Sequence, residues 1–366
     1  MTASTTEALR VTGVVLPESE HQDLYVADGR ITTSGQPGAT DVTAGLGPCW
    51  IVPGLVDAHC HVGLDAHGAV DEATQQEQAL ADRDAGALLL RDCGSPADTR
   101  WIDDRDDLPR IIRAGRHLAR TRRYIRNYAH EVEPEDLPAY IAREARRSDG
   151  WVKFVGDWIE RDAGDLTPSF PADAVKAAVE AAHAHGARVT SHVFGEAALP
   201  DLIAAGIDCI EHGTGLSAGL VEEMALKRVA LVPTVTNLEN FPTFAEQGES
   251  RFPAYATHMR ALFARRYETI GAAYEAGVQI YAGTDAGGSL PHGLIAREVT
   301  GLVTYGLSTF DAVGAASWRA REWLGVDATL TEGARADFCV YDADPLVDPG
   351  VLAAPRRVVL RGRVVG

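Results

Sequence analysis

Eight short apolar runs recur along the chain, each closing in polar residues: "WIVPGLVDAHCHV", "GALLLRDCG", "RIIRAG", "WVKFVGD", "ARVTSHVFG", "DCIEHGTG", "ALVPTVTNL" and "VQIYAGTDAGG". Runs without polar alternation are buried on both faces, as strands of a parallel sheet are. Helical patterns lie between them, among them "PADAVKAAVEAAHAHG", "EAALPDLIAAG", "SAGLVEEMALKR" and "ATHMRALFARRYETIGAAYEAG", several closed by a glycine suited to a helix C-terminus. Eight β-then-α units predict an α/β protein, a (β/α)8 TIM-type barrel whose active site sits at the C-terminal ends of its strands.

The chain has 366 residues, more than the roughly 250 of a bare barrel, so a second, smaller module is expected. Both ends have the character for it. Residues 9–49 and 328–364 show short alternating runs broken by Asp-Gly, Glu-Gly and Arg-Gly turns, a β signature. The expected division is a composite β-sandwich module from residues 1–50 and 325–366, flanking a barrel of residues 51–324.

A formal net charge of −18 argues against general affinity for nucleic acid or anionic membrane, which need a basic footprint. A small-molecule substrate is the expected partner. No window approaches the roughly 18 uninterrupted apolar residues of a spanning helix, and the N-terminus lacks a basic region followed by an apolar run. Five cysteines without CxxC spacing fit reduced thiols, and the expected compartment is the cytoplasm.

The strand ends carry the chemistry. His59 and His61 in "VDAHCHVG" are two apart on a strand, so both face one way and suit a divalent metal. That pair alone is equally compatible with packing. His192 in "VTSHV", His212 in "IEHG" and Asp285 in "AGTDAG" also fall where a strand gives way to a loop, so all would point into one mouth. Lys153, one of only three lysines, lies within the apolar run "GWVKFVGDW". A buried ammonium is costly unless paired, deprotonated or chemically changed. Beside metal sites a lysine can react with carbon dioxide to give an anionic carbamate able to bridge two ions. The alternative is a lysine paired with Asp157 or reaching to the strand end.

With these residues in place the sequence resembles the metal-dependent amidohydrolase superfamily, and within it the prolidase-like and imidazolonepropionase-like branch. "PGLVDAHCHVG", "RDCG", "VKF", "SHVFG", "EHGTG", "AGTDAGGSLPHG" and "GARADFCVYDADPLVDP" stand in the family's order over nearly the whole chain. The resemblance implies that His59, His61 and Asp285 hold one metal, that His192 and His212 hold a second, and that carboxylated Lys153 bridges them. It implies two divalent ions, usually zinc, and Asp285 as general acid and base. It also implies self-association into a homo-oligomer, although no segment marks an interface.

Other positions are less constrained. Arg110, Arg113, Arg116, Arg120, Arg122, Arg123 and Arg126 recur at spacings that fit a solvated helix face. Alternatively the loop after the third strand presents an arginine, Arg122, to a substrate carboxylate. Relatives carry a glycine-rich, histidine-containing loop there, and this sequence departs from it. His130, with Tyr128 beside it, is the nearest match to that loop histidine. His292 in "SLPHG" follows the eighth run and is expected to line the pocket. His183 and His185 face different ways on a helix, and His21, His67, His117 and His258 show no pattern.

The expected activity is hydrolysis of an amide-type C–N bond in a dipeptide or N-acyl amino acid. One alternative keeps the site and changes the bond to a cyclic amide, carbamate, lactone or ester, or to deamination of a heterocycle. A remoter alternative is a non-catalytic scaffold, which would be expected to lack some of the six ligands that are all present here.

Overall fold

The computed structural model describes residues 8–366. Parallel strands Leu55–Cys60, Ala87–Asp92 and Arg110–Arg113 pair in that order, and Trp151–Val155, Arg188–Val193, Cys209–His212 and Ala230–Val232 pair in a second run. The eighth segment closes the ring through parallel bridges Leu231 to Ile280 and Cys60 to Ala286. The (β/α)8 barrel expected from the apolar runs is therefore present. Its first, second and fourth strands are buried along their whole length, which is why they read as unbroken apolar runs.

Two runs differ from their expected form. "WIVPGLVDAHCHV" is two strands: Trp50–Pro53 pairs with Leu9–Val15 and Phe338–Tyr341, and only Leu55–Cys60 enters the barrel. The third barrel strand bends at Gly115, whose φ is 72°. Arg110–Arg113 pairs with the second strand, while Leu118–Arg120 pairs with the fourth at Leu118 to Phe154 and with a further strand, His130–Val132.

Both chain ends meet in one eight-stranded sheet, ordered 363–364, 357–360, 338–341, 50–53, 9–15, 20–27, 30–32, with 40–41 beside 9–15. Leu9–Val15 alternates buried and half-buried side chains, so one face covers an apolar core containing Val11, Val26, Ile51, Phe338 and Val359. The larger core lies between barrel and helices.

The expected helices form at Ala172–His183, Leu199–Ala205, Ala218–Lys227 and Pro253–Glu275. Gly206 ends the second of these in the left-handed region at φ 84°. Around the barrel mouth stand a hairpin, Asp157–Glu160 with Asp165–Pro168, and a helix, Phe241–Glu249, which packs on Pro253–Glu275. No described helix is long and apolar enough to cross a membrane, and all five cysteines are buried free thiols.

Candidate active site

The C-terminal ends of the barrel strands converge on one polar cluster. His59 and His61 lie at and just past the end of the first strand, with Nε2 atoms 3.3 Å apart. Lys153, in the middle of the fourth strand, places Nζ 2.9 Å from Nε2 of His59. Asp285, just past the eighth segment, places Oδ1 3.1 Å from His59 and 3.3 Å from His61. His192 and His212 end the fifth and sixth strands with ring centroids 4.7 Å apart, and His212 lies 5.4 Å from His59. All six positions read from the sequence come together.

Local backbone explains the convergence. A Cβ on Gly283 would sit 2.6 Å from Cβ of His59, so only glycine lets the eighth segment lie against the first strand. Asp285, His212 and Thr234 adopt left-handed φ of 59°, 69° and 49°, a costly conformation for non-glycine residues and most costly for a β-branched one. The surroundings hold it. Oγ1 of Thr234 is hydrogen-bonded to Nδ1 of His212 at 2.7 Å, and the N–H groups of Val235 and Thr236 donate to the Glu298 carboxylate, both at 2.8 Å.

Tautomers follow from the outer contacts. Nδ1 of His61 donates to the Gly94 carbonyl at 2.7 Å, and Nδ1 of His59 donates to Oε2 of Glu211 at 2.7 Å. Each Nε2 then presents its lone pair inward, as a metal-binding imidazole must. Glu211 is itself fixed by buried Arg91 at 2.6 Å and by the Thr190 hydroxyl. Nε2 of His192 is buried with no hydrogen-bond partner among the described residues. Such an orphan fits a site built for an ion.

The electrostatics agree with a cation site. Burial, with Lys153 and His59 adding to it, lowers His61 to about 4. Burial also dominates at His212, lowered to about 3, and at His192, well below its ordinary value. Neutral imidazoles are the form that ligates metal. At His59 burial and Lys153 are outweighed by Glu211 and Asp285, which raise it. Burial would raise Asp285, but His59, His61 and His212 hold it well below the usual carboxylate range. His59, His61 and Asp285 together could hold a metal ion, as could His59, Cys93 and Glu211.

The cluster forms the floor of a cavity of about 550 Å³, lined also by Tyr124, Tyr128, Trp158, Phe194, Asn237 and Arg251. That volume suits a small-molecule ligand. Lys153 makes no pair with Asp157, whose carboxylate instead accepts from the N–H groups of Phe194 and Gly195.

Three expected substrate residues lie elsewhere. Arg122 is exposed, at a left-handed turn with φ 60°. His130 accepts from Arg143 at 3.0 Å and lines a separate polar cavity of about 300 Å³ with Arg100, Arg113, Arg116 and Glu144; its strand, His130–Val132, sits at the edge of the sheet beside Leu118–Arg120. His292 is tied through Nδ1 to Asp82 at 2.7 Å, pinning the loop after the eighth segment to the first helix, Glu72–Asp84. Of that group Tyr128 does line the cavity.

The arginine-rich segment is strand and turn, with no helix in it. Its members staple loops: Arg113 donates to Thr99 and Asp103, Arg116 to the carbonyls of Asn127 and Tyr128, and Arg123 to those of Trp158, Thr167 and Pro168.

Sequence reasoning passed over Glu211, Asn237 and Tyr124, and found no pattern at His117. His117 is fully buried, 5.8 Å from His61 between ring centroids, and its Nδ1 donates to Gly94 O at 3.0 Å. Glu211 sits at a strand end, the signal that marked the histidines, whereas Asn237 lies in the short helix Val235–Leu238 that follows the seventh strand.

A model of the amidohydrolase family matches residues 50–365. An uncharacterized protein of Mycobacterium tuberculosis is 56% identical over 359 residues, which are 98% of this chain and 96% of that protein. A Xaa-Pro dipeptidase solved with methionine bound in its active site is similar in structure, with TM-score 0.81 and 21% identity over 98% of this chain and 99% of its own. An ochratoxinase of A. niger gives TM-score 0.81 at 21% identity, over 98% and 95% of the two chains. The structural likenesses show a shared fold, and the family match covers most of the chain. The chain belongs to the amidohydrolase family and is a hydrolase of carbon–nitrogen bonds.

Proposed function

We propose that the protein cleaves the amide bond of a dipeptide or N-acyl amino acid at a two-metal centre. In this reading His59, His61 and Asp285 hold one ion, His192 and His212 hold the other, and carboxylated Lys153 joins them, with zinc as the metal. The observation that carries it is the meeting of Lys153 Nζ, His61 Nε2 and Asp285 Oδ1 around Nε2 of His59, at 2.9 to 3.3 Å, beside an Nε2 of His192 that has no hydrogen-bond partner among the described residues.

A lysine cation among ligands would repel a metal. Addition of carbon dioxide to the neutral amine, with loss of one proton, replaces that cation with an anionic carbamate. Bound divalent ions supply polarisation of the scissile carbonyl and a lowered pKa for water. Asp285 accepts the proton of the attacking water and returns it to the departing nitrogen. Asn237 donates to Oδ2 of Asp285 and keeps Oδ1 turned to the histidines.

The test is metal content per chain, on protein purified without chelator and supplied with bicarbonate, for wild type beside Lys153→Ala, together with hydrolysis of a panel of dipeptides and N-acyl amino acids. About two ions, falling to one or none in the variant, with turnover of the panel, is the expected result. One ion in both proteins removes Lys153 as the bridge and favours a mononuclear site acting on a cyclic amide or a heterocycle.

A further inference from the structure

The wall of the cavity above the cluster is built by insertions, and its composition differs from the floor. The turn after Leu118–Arg120 contributes Tyr124 and Ile125, the hairpin contributes Trp158, and the helical pair contributes Phe244, Phe252 and Tyr255. Trp158 and Tyr124 meet edge to face with centroids 4.7 Å apart, and the N–H of Tyr255 donates to the Gly164 carbonyl in the hairpin turn. The three insertions thus make one continuous apolar wall.

Apart from the residues of the floor, one charged side chain lines this cavity: Arg251. It lies between the helices Phe241–Glu249 and Pro253–Glu275, where the N–H groups of Arg251 and Phe252 both donate to the Gly248 carbonyl, at 3.1 and 2.8 Å. Its guanidinium carbon is 5.0 Å from the centre of the Phe252 ring. Of the arginines that line other cavities, Arg100, Arg113, Arg116 and Arg319 are held by carboxylates or carbonyls. Arg251 is exposed and forms no ion pair among the described residues.

We propose that Arg251 is the carboxylate clamp of the substrate site, and that the aromatic wall selects a bulky apolar side chain on the same substrate. This rests on the amide-hydrolase reading of the floor. The substrate class is then an N-acyl or N-aminoacyl derivative of a large apolar amino acid with a free carboxylate. The aromatic wall removes the apolar group from water, and the guanidinium offers two parallel donors to the carboxylate. Arg251 acts on binding and positions the scissile bond; the proton transfers belong to Asp285.

The test compares N-acetyl-L-phenylalanine, its carboxamide and N-acetylglycine on wild type, Arg251→Met and Arg251→Lys. Wild type is expected to prefer N-acetyl-L-phenylalanine over both others. In Arg251→Met the acid-over-amide ratio of kcat/KM falls roughly ten- to a hundredfold, as loss of a hydrogen bond to a charged group does, with the change in KM and partial recovery in Arg251→Lys. An unaltered ratio, or equal loss on acid and amide, overturns the clamp. If wild type hydrolyses none of the three, the N-acyl amino acid reading of the substrate fails on its own. Calorimetric titration of acid and amide into wild type and Arg251→Met then decides the clamp: a preference for the acid that the variant loses upholds it, and equal binding overturns it.

Discussion

The side-chain amide of Asn237 donates to Oδ2 of Asp285 at 2.7 Å, while Oδ1 of the same carboxylate faces His59 and His61. The two oxygens therefore have separate tasks, and Asn237 decides which is which. Asn237→Ala should lower kcat roughly tenfold or more, the scale of one lost hydrogen bond to a charged group, with little change in KM or metal content. Steady-state kinetics beside metal analysis checks this; an unchanged kcat would show that the bond is incidental.

Asp285→Asn keeps the shape of the side chain and one oxygen that can face His59 and His61 but cannot take up a proton. Turnover should be abolished while most metal stays bound. Wild-type rates in this variant would remove Asp285 from the proton transfers. Loss of metal together with activity would make it a ligand first.

Glu211 has no exposure and lies between Arg91 and His59, at 2.6 and 2.7 Å. Burial opposes its charge, but Arg91 and His59 hold its carboxyl well below the ordinary range. Glu211→Gln leaves the Arg91 guanidinium buried without an anion, a change that costs about 3–5 kcal/mol. Denaturant unfolding should register that loss, and metal content should fall with it because the single carbonyl oxygen of glutamine cannot accept from both Arg91 and Nδ1 of His59. A variant as stable as wild type would mean that Arg91 finds compensation elsewhere, for instance over the Trp151 ring 4.6 Å away.

The barrel was legible because parallel strands buried on both faces write themselves as apolar runs, and the candidate site because a histidine or aspartate closes the first, fifth, sixth and eighth of them. What was illegible lies where neither signal operates. Trp50–Pro53 and Leu55–Cys60 are equally apolar and read as one strand, since nothing in "WIVPGLVDA" shows that the chain changes sheets at Gly54. Arginine spacing of three and four looked helical, yet those side chains serve the carbonyls of bent loops. Arg251 stands alone in a polar stretch, and only the packing of Phe241–Glu249 on Pro253–Glu275 brings it to the cavity.

The aromatic wall has its own pH dependence, set by His258 on the helix Pro253–Glu275. Its Nδ1 meets Asp165 of the hairpin at 2.9 Å and its Nε2 meets Glu196 at 2.8 Å, with Arg265 also on Glu196. Burial lowers the His258 pKa, but hydrogen bonds and attraction from Asp165 and Glu196 prevail and raise it above 6.5. A group raised on folding contributes stability that is fully present below the unfolded value and is lost as pH climbs through the folded value. Wild type should therefore exceed His258→Gln in Tm at pH 6 by more than it does at pH 8.5. Thermal melts of both proteins across that window decide it; a constant difference would mean that His258 holds hairpin to helix by packing, with no contribution from its charge.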